Sequence, residues 1–272
     1  MKPLPMVTDC HVHPPGCDVA TMIARAEAFG ITRQCLFALG NEIDPQFPAP
    51  DGGHWSSIGA PHHTDAWNPP PERITASNEF VQSLVQQAPD RLCALCFVNP
   101  VHTDHALAEI RARVQQGPML GIKLWISCKA NDPLVEPIAE LAVELDVPIL
   151  QHCWNKFGGN MPGESCTADV AELAGKFPRL KIIAPHLSGQ HEDGVLDLAP
   201  HPNIWIDTSG MLPDAGILEF AVEAVGVNRI LFGSDLPMRH QGSALARIQG
   251  SALRDRDRRA ILHDNFSRLF NQ

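Results

Sequence analysis

The feature that most constrains the fold is a regular alternation of short apolar runs and helical patterns along the 272-residue chain. Eight runs rich in valine, isoleucine, leucine and phenylalanine predict β-strands: MVTDCHV, TRQCLFAL, LCALCFV, LGIKLWI, VPILQHC, KIIAPHL, NIWIDTS and RILFGSD. Eight β–α units in one chain predict an α/β fold, a (β/α)8 TIM-like barrel that spans residues 1–272 as a single domain.

Helical spacing of apolar residues fills most of the intervals between these strands. The predicted helices lie at residues 18–29, 75–88, 104–115, 132–145, 167–177, 213–225 and 243–270, and a weaker, shorter helix follows KIIAPHL. Asp132 is a suitable helix cap and Pro133 suits the first helical position. A doubly wound open sheet is the competing architecture, but no G-x-G-x-x-G follows any predicted strand.

Composition and charge argue against several classes of protein. The formal net charge is −10 without a lysine or arginine cluster, which argues against a nucleic-acid-binding surface. No apolar run reaches the roughly 18 residues of a membrane helix, and MKPLPMVTDC lacks the apolar core of a signal peptide. Most of the eight cysteines lie in apolar runs, as expected for reduced thiols of a cytoplasmic protein. Cys93 and Cys96 stand three apart on a strand, so we expect core thiols that face opposite sides.

One segment interrupts the alternation. Residues 41–71 contain seven prolines and no helical or strand periodicity, and they follow the second predicted strand. A loop of this length in a compact domain usually covers a functional site, so we predict a lid or substrate loop. Its histidines and tryptophans are candidates for substrate contacts or incidental surface residues: His54, Trp55, His62, His63 and Trp67.

Polar residues stand at or near the carboxyl ends of five predicted strands. The first strand carries two histidines, and the fourth, fifth, sixth and eighth strands carry one polar residue each: His11, His13, Lys123, His152, His186 and Asp235. In a barrel all these ends meet at one mouth, where barrel enzymes keep their catalytic residues. We therefore expect these side chains to form one site.

The residue types in this set suit a catalytic metal ion. His11 and His13 are two apart on a strand, so both imidazoles lean to the same side. A catalytic zinc needs one or two further protein ligands, which His152 and Asp235 can supply, and an open position for water. Asp235 and His186 are the candidates for moving the proton of a metal-activated water. Asp9 is expected to be an outer partner or a structural anchor.

Several stretches together resemble a known family. They are TDCHVHPP, GIKLW, DPLVEPIAELAVELDVPILQH, IIAPHLSG, NIWIDTSG, ILFGSDLPM and ILHDNFSRLF, which together extend from residue 8 to residue 270. The chain resembles the amidohydrolase superfamily, in the amidohydrolase-related branch that includes decarboxylases of aminocarboxymuconate semialdehyde and of dihydroxybenzoates and a pyrone-dicarboxylate lactonase. The resemblance implies a distorted (β/α)8 barrel.

The resemblance also implies the roles of the site residues. His11, His13, His152 and Asp235 would bind one divalent metal ion, with zinc as first choice and manganese as the alternative, and His186 would be an acid/base or water-orienting residue. In binuclear members a carboxylated lysine or a glutamate on the fourth strand bridges two metal ions. If Lys123 bridges, His186 becomes a ligand of a second metal; otherwise Lys123 anchors substrate or is structural.

Three further residues are candidates for contacts with a small-molecule substrate. Arg239 follows Asp235 by four residues and could hold a carboxylate, although it could equally be a solvent-exposed loop residue. Trp125 and Trp154 stand next to site residues and could wall a pocket for a planar ring, or pack between barrel and helices.

The residues leave four functions open. The leading interpretation is a metal-dependent hydrolase of a small-molecule lactone, ester or amide, in which metal-activated water attacks the carbonyl. The second is a metal-dependent nonoxidative decarboxylase, a lyase acting on an aromatic or unsaturated carboxylic acid. A metal-free lactonase and a non-enzymatic binding barrel are the remaining alternatives. The choice between monomer and homodimer stays open.

Overall fold

The computed structural model describes residues 6–14, 16–39, 68–210 and 215–272 of the chain. Its strands are β1 (Thr8–Val12), β2 (Arg33–Leu36), β3 (Leu92–Ala94), β4 (Cys96–Phe97), β5 (Ile122–Leu124), β6 (Ile149–Gln151), β7 (Ile182–Ala184), β8 (Ile204–Asp207) and β9 (Ile230–Leu231). They pair in parallel in two runs, β1-β2-β3 and β4 to β9 in chain order. The predicted third strand is thus two short strands separated by Leu95, and the later strands are numbered one higher.

Backbone hydrogen bonds join the two runs into a barrel. On one side the Leu95 amide donates to the Leu36 carbonyl at 2.9 Å, which carries the pairing across the interruption between β3 and β4. On the other side β1 meets the segment after β9, where the Cys10 amide donates to the Phe232 carbonyl at 2.8 Å and the Asp235 amide to the His11 carbonyl at 2.9 Å. The predicted (β/α)8 barrel is confirmed.

Helices connect the strands. They are α1 (Val19–Glu27), α2 (Pro71–Gln87), α3 (Thr103–Ile110), α4 (Glu136–Leu145), α5 (Thr167–Lys176), α6 (Leu187–Leu198), α7 (Ile217–Val225), α8 (Gln241–Gln249), α9 (Asp255–Arg259) and α10 (Asn265–Leu269). Asp132 caps a short 3-10 turn, Pro133–Val135, before α4 by accepting the Leu134 amide at 2.9 Å. Among the helices of the described residues, none is long and apolar enough to cross a membrane.

Three predicted segments differ from the structure. The single helix predicted over 243–270 is three helices, α8 to α10, and the residues between α8 and α9 contain Gly250 and Ser251, which favour a turn over a helix. Helix α6 is twelve residues long and bends at His191, where the predicted helix was short. Helix α2 begins at Pro71, the last residue of the predicted loop, because proline suits the first helical position.

Most of the loop predicted over 41–71 falls on residues 40–67, which lie outside the described residues. The proposed lid role and the candidates within it stay predictions: His54, Trp55, His62, His63 and Trp67.

Apolar side chains form one cluster inside the barrel wall and another between strands and helices. Cys93 belongs to the first cluster, with Cys35 and Phe37, whereas Cys96 belongs to the second, with Ile122. The expectation of two core thiols that face opposite sides is confirmed, since both are buried in different clusters, although Cys93 lies on β3 and Cys96 on β4 rather than on one strand.

Candidate active site

Three predicted ligands meet at the carboxyl end of the barrel. His11, His13 and Asp235 each offer one ligand atom, and these atoms lie within 4.8 Å of one another. Asp235 Oδ1 lies 3.4 Å from His11 Nε2 and 3.5 Å from His13 Nε2, and all three side chains are buried. The barrel thus brings together residues that are more than 220 positions apart in the sequence.

The pairing of β1 with the segment after β9 sets this geometry. The Asp235 amide donates to the His11 carbonyl at 2.9 Å. The backbones of these two residues are therefore paired side by side, which holds the Asp235 carboxylate at the same end of the barrel as the two imidazoles. Asp235 has a φ of 64°, in the left-handed region that is uncommon for residues other than glycine. Such backbone strain is typical of positions that surrounding contacts hold for a function.

Asp9 is the anchor of this segment. Its carboxylate accepts the Ser234 amide at 2.9 Å, the Gln241 side-chain amide at 2.9 Å and the His11 amide at 3.3 Å. Burial raises the pKa of Asp9 to about 6, against the opposing effect of these hydrogen bonds. The pairing register of β1 shifts between Asp9 and Val12, so strict alternation of side chains does not hold there. Asp9 therefore supports the backbone of the site, as a structural anchor would.

The donor set fits a divalent metal ion. Asp235 Oδ1 is buried and has no hydrogen-bond partner among the described residues, although two imidazole nitrogens lie within 3.5 Å of it. Burial lowers the pKa of His11 well below its usual range, so its imidazole is neutral and can offer a lone pair. Neutral imidazoles and a carboxylate are ligands that both zinc and manganese accept.

The most important residue that the sequence analysis missed is Asp207, at the end of β8. Its Oδ2 accepts a hydrogen bond from His11 Nδ1 at 2.7 Å, and its Oδ1 accepts the amides of Ser209 and His186 at 2.9 and 3.2 Å. A carboxylate at Nδ1 keeps the proton there, so Nε2 is left to face the metal site. The strand-end aspartate of NIWIDTS is the signal that could have revealed it, since the same reasoning selected Asp235.

His186 and His152 form the other side of the site. His186 Nε2 lies 3.2 Å from His152 Nδ1, and His186 Nδ1 lies 2.9 Å from the Ser209 hydroxyl, which in turn contacts Asp207. The ring of His186 lies 5.0 Å from that of His11. Burial lowers the pKa of His186 well below its usual range. His152 lies outside the group of three whose ligand atoms are within 4.8 Å of one another, and its Nε2 contacts Glu164 at 2.9 Å.

Glu164 is a second residue that the sequence analysis missed. Its side chain is buried, and its Oε1 lies 2.9 Å from His152 Nε2. It lies in the irregular segment between β6 and α5, where neither strand nor helix periodicity predicts the direction of a side chain. No sequence signal pointed to it.

Lys123 is buried in the same charged environment. Its Nζ lies 5.0 Å from the centre of the Phe37 ring, which also contacts His11 and His13. Burial lowers the pKa of Lys123 to about 8, while the charges of Asp207 and Asp235 act to raise it. The position fits a cation that faces the site from the barrel interior, and the metal-bridging role stays a prediction.

The three candidate substrate contacts have different surroundings. Trp125 packs in an apolar cluster with Leu39, Ile74, Phe97 and Ile126. The indole of Trp154 lies 5.0 Å from the His186 ring and is therefore beside the site. Arg239 donates to the Met238 carbonyl at 2.7 Å, and its buried Nε has no hydrogen-bond partner among the described residues.

Gly189 and Trp154 yield a testable prediction about the wall of the site. A Cβ atom at Gly189 would lie 2.5–2.8 Å from three indole carbons of Trp154, so Gly189→Ala must displace the ring that contacts His186. We expect a loss of stability of about 1–3 kcal/mol and a changed tryptophan fluorescence spectrum. Thermal and urea unfolding and emission spectra measure both.

Gly175→Ala in α5 is the matched control for Gly189→Ala. Its added Cβ would meet only the His201 ring at 3.6 Å, an ordinary contact, and alanine is the better helix former by about 1 kcal/mol. We expect unchanged fluorescence and unchanged or higher stability. Equal effects of the two substitutions would contradict the role of Gly189.

Comparison with known proteins agrees with this fold. A family model described as Amidohydrolase matches residues 8–272. The structure is similar to 2,6-dihydroxybenzoate decarboxylase from Rhizobium, at 19% identity, 98% coverage of both chains and a TM-score of 0.71. It is also similar to a dihydroxybenzoic acid decarboxylase from Polaromonas with bound manganese and 2-nitroresorcinol, at 17% identity, 97% and 96% coverage and a TM-score of 0.70.

A third similar structure is an uncharacterised TIM-barrel protein from Bordetella bronchiseptica, at 14% identity, 98% coverage of both chains and a TM-score of 0.74. At these identities the structural matches establish the shared barrel, and the family model extends over nearly the whole chain. The chain therefore belongs to the amidohydrolase family and is an enzyme of the amidohydrolase superfamily.

Proposed function

We propose that this enzyme hydrolyses a C–O or C–N bond of a small lactone, ester or amide with a divalent metal ion held by His11, His13, His152 and Asp235. The observation that carries this proposal is the buried Asp235 Oδ1, which lies within 3.5 Å of two imidazole nitrogens and has no hydrogen-bond partner among the described residues. A bound metal ion supplies the activation of water, whose pKa it lowers from about 15.7 toward 7, and the polarisation of a carbonyl group.

The residues around the metal ligands have distinct roles in this hydrolysis. Asp235 would accept the proton of the attacking water, because its Oδ1 lies 3.4 and 3.5 Å from the Nε2 atoms of His11 and His13. His186, whose ring lies 5.0 Å from that of His11, would orient the water or the carbonyl oxygen. Lys123 contributes a buried positive charge that favours negative charge on the substrate oxygen in the transition state. Trp154 forms a wall beside His186.

Decarboxylation is the second candidate, and the similar structures favour it. Two of them are decarboxylases of dihydroxybenzoic acids that match nearly the full length of this chain. In this reaction the ring carbon loses CO2 and gains one proton, for which His186 or Asp235 is the donor. Lys123 then faces the substrate carboxylate. The same residues therefore serve either reaction, with the proton moving in the opposite direction.

Metal content and product analysis together test the proposed function. We expect about one equivalent of zinc or manganese in protein purified without chelator. The protein is then assayed in H2(18)O with a panel of lactones, esters and amides, and with hydroxybenzoic acids labelled with 13C in the carboxyl group. Hydrolysis places one 18O atom in the product acid, whereas decarboxylation releases 13CO2 and places no 18O in the ring product.

Each outcome of this experiment decides between the candidates. Incorporation of 18O supports the hydrolase, and release of 13CO2 overturns it in favour of the decarboxylase. A content of two metal ions per protein chain supports Lys123 and His186 as ligands of a second ion. Folded protein without metal contradicts the metal mechanism and leaves the metal-free lactonase or the binding barrel.

A further inference from the structure

The segment between β6 and α5 carries a buried carboxylate that the proposed mechanism does not use. Glu164 is 1% exposed, and both of its oxygens are engaged. Oε1 lies 2.9 Å from His152 Nε2, and Oε2 accepts hydrogen bonds from Lys156 Nζ at 2.7 Å and from the Met161 amide at 2.9 Å. A carboxylate that is buried and bonded to three donors contributes nothing to solubility, so its burial calls for a structural or functional explanation.

The segment is built to hold this carboxylate in place. The Asn160 side-chain amide donates to the Ser165 carbonyl at 3.0 Å and contacts the Trp154 carbonyl, which ties the two ends of the segment together. Gly163 has a φ of 80°, and a Cβ there would lie 2.4 Å from the Ile126 carbonyl oxygen. Only glycine allows the chain to pass this close to the end of β5, directly before Glu164.

The protonation of this pair follows from its hydrogen bonds. Lys156 Nζ and the Met161 amide both donate to Oε2 of Glu164, and a charge-assisted contact with a lysine favours the ionised carboxylate. An ionised carboxylate accepts hydrogen bonds only, so the proton of His152 must be on Nε2. A neutral imidazole has one ring proton, so a ring that donates from Nε2 carries a lone pair on Nδ1. That Nδ1 faces the interior of the site, 3.2 Å from His186 Nε2.

We propose that Glu164 is a positioning residue that holds His152 as the Nε2–H tautomer and presents its Nδ1 to the metal site. This inference rests on the proposed function, in which His152 is a metal ligand. Asp207 does the converse for His11, because it binds Nδ1 and leaves Nε2 for the metal. Two buried carboxylates thus orient two imidazoles that would bind the metal through different ring nitrogens.

The effect of losing such a partner on metal affinity is known from other metal sites. Removing an outer carboxylate that orients a metal-bound histidine typically lowers metal affinity about 10–100-fold. We expect this loss for Glu164→Ala and a smaller one for Glu164→Gln, since the glutamine carbonyl can still accept the Nε2 proton but carries no charge. Titration of each chelator-treated protein with manganese or zinc, in competition with a chelating dye, measures the affinity.

Nitrogen-15 NMR of the metal-free protein tests the tautomer directly. The His152 ring signals are assigned by their loss in His152→Gln. In the wild type we expect a protonated Nε2 and an unprotonated Nδ1, and in Glu164→Ala a mixture of tautomers. Detection of the proton on Nδ1 in the wild type overturns the inference, and so does an unchanged tautomer in Glu164→Ala.

Asn160→Ala separates the carboxylate from the integrity of the segment. It removes hydrogen bonds to the Lys156 amide and to the Trp154 and Ser165 carbonyls, which hold the same segment, and none of these bonds involves Glu164 or His152. We expect its metal affinity to stay within about 3-fold of the wild type, below the 10–100-fold range of a lost metal-orienting partner. An equal loss in Asn160→Ala and Glu164→Ala overturns the inference. If the wild type binds no metal, the proposed function fails, and the tautomer measurement alone still decides the role of Glu164.

Discussion

The double variant His11→Ala, His13→Ala is expected to lose its metal ion and at least about 100-fold in kcat/KM, the upper end of what losing even an outer partner costs. The substitutions remove two of the three buried ligand atoms that lie within 4.8 Å of one another, so only Asp235 remains of that group. Metal analysis after gel filtration and kcat/KM with the substrate found in the screen measure the two losses.

Thermal unfolding gives an independent measure of the same loss. A ligand that binds only the folded protein stabilises it by about 2.7 kcal/mol at a concentration 100 times its Kd. We therefore expect added manganese or zinc to raise the Tm of the wild type and to leave that of the double variant unchanged. A chelator should lower the Tm of the wild type alone.

The control for this variant is His201→Ala, His263→Ala, which removes two imidazoles from the opposite end of the barrel. His201 lies just before β8, and the His263 ring contacts the Thr8 hydroxyl at the start of β1. We expect normal metal content in this control. Metal retained by the His11, His13 variant, or lost equally by the control, would contradict the assignment of the site.

Asp207→Asn is expected to have the second largest effect, although the side chains are nearly the same size. Asp207 accepts hydrogen bonds from His11 Nδ1 and from the amides of His186 and Ser209. Asparagine has one acceptor oxygen, so in either orientation its NH2 group meets a buried donor. If the NH2 faces His11, the proton moves to Nε2 and blocks the lone pair that faces the metal site.

The expected size follows from these lost contacts. We expect a loss of metal affinity of about 10–100-fold and a loss of stability of about 1–3 kcal/mol for each buried donor left without a partner. Dye competition and urea unfolding of the metal-free protein measure the two separately. Asp197→Asn is the control, because Asp197 is exposed and, among the described residues, accepts only the Thr167 hydroxyl, from which the asparagine oxygen can also accept a hydrogen bond. Wild-type affinity in Asp207→Asn would show that Asp207 does not orient His11.

The barrel and the main ligands could be predicted because the information is local and repeated. Each short apolar run with a helical interval specifies one β–α unit, and parallel strands bring all carboxyl ends to one mouth. Because these ends meet, a position at a strand end was enough to predict that His11, His13 and Asp235 lie close together. The boundaries were less predictable: Leu95 interrupts a run that reads as one strand, and α8 to α10 read as one helix.

The residues that orient the ligands could not be predicted in the same way. The contact between His11 and Asp207 joins positions 196 residues apart, and it depends on which rotamers fit across the barrel. The register of β1 shifts between Asp9 and Val12, and the Asp9 carboxylate accepts the Ser234 amide from a segment 225 residues away. Neither feature leaves a periodic pattern, because both arise from packing between strands that are distant in sequence.

The sequence by itself thus determined the architecture and the set of residues that reach the mouth of the barrel, since strand and helix periods express these directly. Only the tertiary structure decided how the ring nitrogens are used. His11 faces the site with Nε2 because Asp207 holds Nδ1, and His152 faces it with Nδ1 because Glu164 holds Nε2. The physical reason is that a histidine tautomer depends on the hydrogen bond at the other nitrogen, and that partner is brought into place by folding.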